Sequence, residues 1–311
     1  MSAPQTAAAP AAGKKSRKRR RRLKNVIGID PKRFDRSQLK FYAYLIPIGV
    51  ITGLPILLIF LNAFKPMDEL FAYPPRFFIT NPTLDNFRQL FAVSANTTVP
   101  ASRYLFNSIL STFLVVVLTL VITISAAYCL SKKRFKMKKL IFTANTLALM
   151  FVPVAVSIPR YFIMVNTGMI DNYLAHIVPL LAMPVGLFLV KQFMDQIPDS
   201  LIEAAQIDGA SDFLIVRKII TPMVAPALST VTILAFQSSW NGVEASQMYI
   251  NNESLKNFAF YMSTLASGTG NAVAGQGISA AATLIMFLPN LILFIILQSR
   301  VMNSMAHSGI K

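Results

Sequence analysis

Six long stretches of this 311-residue chain contain no Asp, Glu, Lys or Arg: 41–64, 104–131, 140–159, 172–190, 219–243 and 257–299. A helix rises about 1.5 Å per residue, so about 20 apolar residues cross about 30 Å of hydrocarbon. Every stretch meets that length, and the last exceeds it because "ASGTGNAVAGQGIS" fills its first part. The pattern predicts an all-α integral membrane protein with six spans at about 41–64, 104–130, 140–159, 172–190, 222–240 and 279–299. With 54% hydrophobic and 14% charged residues, the chain is too apolar for a soluble bundle. The first stretch follows a long charged segment without a small-residue cleavage site, which reads as a retained span.

Basic residues near span ends stay on the cytoplasmic side. With the N-terminus inside, residues 1–40 hold 13 Lys/Arg, loop 131–139 six, loop 191–218 three and the C-terminal tail two, against six on the other side. An even number of spans then predicts both termini in the cytoplasm. Residues 1–40 read as a disordered basic tail, since 1–13 are Ala/Pro-rich and "KKSRKRRRRLK" at 14–24 cannot bury its charge. Ahead of a span such a run reads as a tail meeting the lipid bilayer, with no nucleic acid as partner. Residues 41–311 then form one transmembrane domain.

Several chemistries have no residues to carry them. The "GKKS" at Gly13 lacks the upstream glycine of a phosphate-cradling loop, so any ATP that drives this chain is bound by another subunit. The sequence holds no metal-spaced His/Cys set, no G-x-S-x-G elbow and no pair of intramembrane carboxylates, and a single cysteine, Cys129, allows no intrachain disulfide. We therefore expect no catalytic residue, no metal and no cofactor. Ion-coupled carriers need ionisable groups within their spans; here only His176 stands in one, and it reads as a packing residue.

One segment departs from the apolar pattern: "SLIEAAQIDGASDFLIVRKIITP", Ser200–Pro222. Residues 191–218 carry five acidic and three basic side chains. A charge at mid-bilayer costs about 2.5–3.5 kcal/mol on insertion scales, so loop 191–221 is expected at the cytoplasmic face. Ser200 with Glu203 predicts a capping box, Gly209 a left-handed helix end, and Ser211 a second N-cap with Asp212 in the next first turn. The prediction is helix, glycine turn, helix, ending near Pro222, with Leu201, Ala204 and Ala205 on one face and Glu203 elsewhere. Such a pair can dock in another protein's groove or lie on lipid. A lipid-lying helix sets a basic face opposite large apolar residues, whereas this one is acidic and alanine-centred, which favours docking.

"EAAQIDGASDFLIVRKIITP" resembles the conserved cytoplasmic loop of membrane subunits of binding-protein-dependent ABC importers: E-A-A, three residues, G, nine residues, then I-x-L-P. Glu203, Ala204, Ala205, Gly209, Ile219 and Pro222 match, and Thr221 stands where Leu is usual. "NAFKPMDELFAYPPRFFITNPTLDNF", "YLFNSILST", "AAYCLSKKRFK", "SSWNG" and "LPNLILFIILQSRVMNSMAHSGIK" resemble the carbohydrate-uptake branch, of the maltose-permease second-subunit type, from about Phe41 to Lys311.

The resemblance implies a type I ABC importer permease fold in a bacterial plasma membrane. The chain would form half of a translocation pathway for sugars, such as oligosaccharides, and would not itself be an enzyme. Its partners would be a homologous second permease subunit, two ATP-binding subunits and an extracytoplasmic solute-binding protein. The loop would be the coupling helix, with Glu203, Ala204, Ala205, Asp208 and Gly209 at the ATPase, driving alternating access. Asn107, Asn145, Gln237, Trp240 and Asn241, polar or aromatic residues within or at the ends of spans, are candidates for the substrate pathway as well as for holding helices together. Alternatives are an importer of another solute (a polyol or a glycerophosphodiester) and a membrane-anchored scaffold using the basic tail.

Overall fold

The computed structural model describes residues 39–70, 72–74, 76–95, 99–268 and 275–308; the basic tail expected at 1–40 lies outside them up to residue 38. Two units are distinguished, one ending at Ile56 and one running from Leu57. The regular structure of the described residues is helical. The longer helices are Leu39–Phe64 (α1), Asp85–Ala95 (α2), Ala101–Lys132 (α3), Lys138–Ala148 (α4), Ser157–Asn166 (α5), Pro184–Asp195 (α6), Asp199–Ile207 (α7), Ala225–Trp240 (α8), Phe258–Gly268 (α9) and Gly275–Ser308 (α10).

Among the described residues, three helices are long and apolar enough to cross a membrane: α1, α3 and the Gln276–Ser299 part of α10. They fall on the first, second and last expected spans. Each of the three middle windows falls on a bent pair, with angles of 111° between Lys138–Ala148 and Pro153–Asn166, 41° between Tyr173–Leu181 and Pro184–Asp195, and 85° between Asp212–Met223 and Ala225–Met248. Up to six spans result if each pair is one span.

Proline sets the first two breaks. Val152 and Met183, each preceding a proline, leave the helical region with ψ 134° and 88°, and Pro153 and Pro184 then open new helical segments. Steric conflict with the proline ring disfavours the α conformation in the residue before it, while proline's missing N–H costs nothing in a first turn.

Within the second unit α3 is central and packs on α6, α8 and α9, with α8 also on α10. One stripe of α3, Ser108, Ser111, Thr112, Val115, Thr119, Thr123 and Ala127, is buried at helical spacing. Small residues let neighbouring helices approach closely. Ile109, Phe113, Val117 and Val121 point outward.

At the far end of α1, Asn86 donates from Nδ2 to the carbonyls of Asn62, Ala63 and Lys65 at 3.3, 3.0 and 2.8 Å. One buried amide thereby serves carbonyls at the helix end, where the intrahelical ladder runs out; Asn62 O also accepts from Lys65 N–H at 3.4 Å. Gly277 packs so closely on this amide that an added Cβ would collide with it.

Candidate functional site

The Ser200–Pro222 segment folds as helix, turn and helix. The first helix, α7, ends in a Schellman arrangement: Ala210 N–H donates to Ala205 O at 2.9 Å and Gly209 N–H to Gln206 O at 3.0 Å. Gly209 has φ +81°, a left-handed conformation that glycine adopts without Cβ conflict. Ser211 then caps the next helix, its Oγ accepting from Leu214 N–H at 3.4 Å, with Asp212 in the first turn.

The expected capping box is not formed. Helix α7 starts at Asp199 behind Pro198, with no side-chain cap, so Ser200 and Glu203 lie inside it. Lys132 fixes the start instead, donating from Nζ to Ile197 O at 2.5 Å and to Asp199 Oδ1 at 2.7 Å. The shared face also divides. Leu201 and Ala204 are exposed, while Ala205 turns half-buried toward the core cluster that receives Ile202.

Beyond Ser211 the helix widens into a π turn over Val216–Ile220. Pro222 has no N–H for the carbonyl four residues back and its ring would press on it. Thr221 resolves the register, since both its N–H and its Oγ1 donate to Val216 O, the latter at 2.7 Å. A π bulge of this kind commonly sits at functional sites.

Three consecutive residues at the end of α3 hold the loop. Ser131 Oγ donates to Asp195 at 2.6 Å, Lys132 to Asp199, and Lys133 Nζ to both oxygens of Asp212 at 2.8 and 2.7 Å. Tyr128 OH adds a bond of 2.9 Å to Asp212. The carboxyls of Asp199 and Asp212 are held below their ordinary range, chiefly by the hydrogen bonds from Lys132 and Lys133 respectively. Three of the five acids are therefore bound to the chain's own residues. Glu203 and Asp208 are exposed and make no hydrogen bond or ion pair among the described residues. Beside them Ile207 and Phe213 are 87% and 74% exposed. A rigid tip carrying two unpaired carboxylates and uncovered apolar side chains can seat in a groove with a basic wall.

The holding residues Tyr128, Ser131, Lys132 and Lys133 were not singled out from the sequence. For the two lysines a signal is present in the charges, six basic residues in loop 131–139 and five acidic ones in 191–218; Tyr128 and Ser131 carry none.

Of the five polar or aromatic pathway candidates, Gln237, Trp240 and Asn241 stand together at the end of α8, while Asn107 and Asn145 lie on α3 and α4. Asn107 is 1% exposed and donates from Nδ2 to Ser254 O and Lys256 O at 2.8 and 2.9 Å. Asn145 donates to Pro184 O at 3.2 Å, serving the break before α6. Trp240 is buried, donates from Nε1 to Met286 O at 3.0 Å and lines an apolar groove with Ile109, Phe113 and Phe236. Gln237 and Asn241 are exposed, and Asn241 Oδ1 accepts from Asn290 Nδ2 at 3.1 Å. His176 is buried, its Nε2 2.9 Å from Leu255 O. It belongs with Asn107 to the grip on residues 254–256.

A family profile described as binding-protein-dependent transport system inner membrane component matches residues 44–299. The sulfoquinovosyl glycerol transport system permease protein SmoH of Agrobacterium fabrum is 29% identical over 285 residues, 89% of this chain and 95% of that protein. The arabinooligosaccharides transport system permease protein AraQ of Halalkalibacterium halodurans is 26% identical over 266 residues, 85% of this chain and 93% of that protein. The diacetylchitobiose uptake system permease protein DasC of Streptomyces coelicolor is 24% identical over 284 residues, 89% of this chain and 98% of that protein. Among solved structures, a chain of a bacterial ABC transporter involved in the import of the acidic polysaccharide alginate has the same fold, with a TM-score of 0.71 at 21% identity over 86% of this chain and 98% of that one.

Proposed function

The chain belongs to the binding-protein-dependent transport system inner membrane components, and from that membership we propose that it is one half of the translocation pathway of an ATP-driven sugar importer. Three relatives named for a sulfoquinovosyl glycerol, arabinooligosaccharides and diacetylchitobiose support a glycoside or oligosaccharide as its substrate. The reading has six spans with both termini in the cytoplasm, each bent pair counting as one span. A homologous permease, two ATP-binding subunits and an extracytoplasmic solute-binding protein complete the assembly in a bacterial plasma membrane.

The observation that carries the proposal is the tip of α7. Asp195, Asp199 and Asp212 fasten the loop to its own chain, and Glu203 and Asp208 are left facing outward beside Ile207. Glu203 pairs with a basic residue of the ATPase, Ala204 admits its surface closely, and the Gly209 turn holds the tip at a fixed angle. Ala205 acts from beneath, locking the helix to the core. Closure of the ATPases then moves α3 and α6 through the bonds at Ser131, Lys132 and Lys133. Of the pathway candidates, Gln237 and Asn241 present polar surface that a sugar can reach, while Asn107, Asn145 and Trp240 hold helices together.

Substituting Gly209→Asp or Glu203→Lys tests the coupling. Both variants are expected to insert at normal levels, to lose substrate uptake and to copurify with less ATPase subunit. Full uptake by both would overturn the assignment.

A further inference from the structure

Next to the α3 end, in the turn toward α4, lies a second charged feature that the coupling reading does not use. Residues 133–137 turn the chain from α3 into α4, and with the first turns of α4 and the end of α6 they enclose an open cleft of about 360 Å³. Its lining is Phe135, Lys136, Lys138, Lys139, Phe142 and Lys191. Four ammonium groups in one cleft repel one another, so the arrangement needs compensation.

Two of the four have it. Lys138 Nζ donates to Ser131 O at 2.8 Å, and Lys191 Nζ lies 2.6 Å from Asp195 Oδ2 and 4.4 Å from the Phe142 ring centre. Lys136 and Lys139 are exposed and make no hydrogen bond or ion pair among the described residues. The acids nearest in the fold are already engaged, Asp195 with Lys191 and Ser131, Asp199 with Lys132. The cleft therefore presents two free positive charges above two anchored ones.

The walls identify what compensates them. Leu140 and Ile141 follow directly on the lysines and point outward, 64% and 43% exposed, and Phe135 forms an aromatic wall of the cleft. A free phosphate or an acidic peptide would meet the lysines alone, while Leu140 and Ile141, which the six-span reading sets at the start of a span, face hydrocarbon. A phospholipid meets both, its phosphate between Lys136 and Lys139 and its acyl chains along Leu140 and Ile141. Basic pockets between spans on the cytoplasmic side bind anionic headgroups in this manner. We propose that the 133–139 turn is a binding site for an anionic phospholipid of the inner leaflet. The placement of the turn at the bilayer surface rests on the six-span reading. The site adjoins the residues that fasten the coupling loop, since Lys138 bonds the carbonyl of Ser131, whose hydroxyl holds Asp195.

The test is a titration of the full-length, delipidated protein with phosphatidylglycerol, phosphatidylcholine or soluble glycerol phosphate, read by native mass spectrometry. Each lysine near an anionic surface contributes about fivefold, so Lys136→Gln/Lys139→Gln should raise the Kd for phosphatidylglycerol about 30-fold. Phosphatidylcholine should bind more weakly than phosphatidylglycerol and equally to both forms. Arg217→Gln/Lys218→Gln removes the same charge from exposed positions outside the cleft and should leave the affinity unchanged; the run at 14–24 is present throughout. The proposal is overturned if the cleft variant binds phosphatidylglycerol like the wild type, if the control variant loses as much, or if glycerol phosphate binds as tightly as the lipid. Membrane-impermeant amine labelling of Lys136 in right-side-out vesicles tests the orientation separately: protection is expected, and labelling from outside would overturn the inner-leaflet placement and the six-span reading, while the lipid titration alone judges the cleft.

Discussion

Tyr128 donates its hydroxyl to Asp212 Oδ1 across 2.9 Å, joining the last turn of α3 to the first turn of the helix that follows Gly209. The tyrosine is buried and the carboxylate half open to solvent. Tyr128→Phe keeps the ring and removes this bond alone, leaving Lys133 on Asp212. The expected loss is about 1 kcal/mol, the net worth of one such bond. A thermal melt of the detergent-purified protein should shift by a few degrees, and uptake should fall in part without being abolished. Lys133→Gln combined with Tyr128→Phe should cost more than the sum of the two, because each alone leaves Asp212 a partner.

At Gly209 nothing stands within 4 Å of an added Cβ, so the cost of substitution lies in the backbone at φ +81°. Asn tolerates this region best among other residues, Ala costs about 1 kcal/mol and a β-branched residue more. Uptake should therefore fall in the order Gly, Asn, Ala, Val while membrane insertion stays constant. Equal activity of the Val and Asn forms would show that the turn angle does not matter.

Charge-free windows coincide with the three long apolar helices and with the three bent pairs, because hydropathy reports the solvent that a segment faces. The breaks were less legible: Pro153 and Pro184 stood in plain view, yet a window average cannot see a kink that costs no apolar residue. In the loop, Gly209 and Ser211 acted as read because their effects are local. Ser200 did not, since Lys132, 68 positions away, fixes the start of α7 through Asp199. A contact so distant in sequence has no periodic signature. The pathway candidates were least legible, as buried asparagines such as Asn107 look alike in sequence whether they face a solute or, as here, backbone carbonyls. Thr221, which departs from the family pattern, became intelligible only with the π turn that its hydroxyl closes.

Asn86 and Gly277 make a paired prediction. Asn86→Ala leaves the carbonyls of Ala63 and Lys65 short of a donor in a buried setting, at about 1–3 kcal/mol for unsatisfied groups, while Asn62 O keeps the Lys65 N–H. Gly277→Ala forces the Asn86 amide aside and should cost a similar amount by losing the same bonds. The double variant has room for the new methyl group and should be no less stable than Asn86→Ala alone. Thermal melts of the three variants decide it; additive losses would show that the two residues act separately.

The lysine bonds to Asp199 and Asp212 make the loop sensitive to acid. Both carboxyls are held below the unfolded value of about 3.9, Asp199 by Lys132 and Asp212 by Lys133. The unfolded loop therefore takes up protons first as pH falls. The stabilisation is complete above the unfolded value and is lost as pH drops through the lower folded values. Limited proteolysis between Asp199 and Ser211 should be independent of pH from about 7 to 5 and should accelerate below about 4. In Asp199→Asn/Asp212→Asn the cleavage rate should be higher at neutral pH and nearly flat toward acid. A variant profile that rises as steeply as the wild type would place the acid-sensitive group elsewhere.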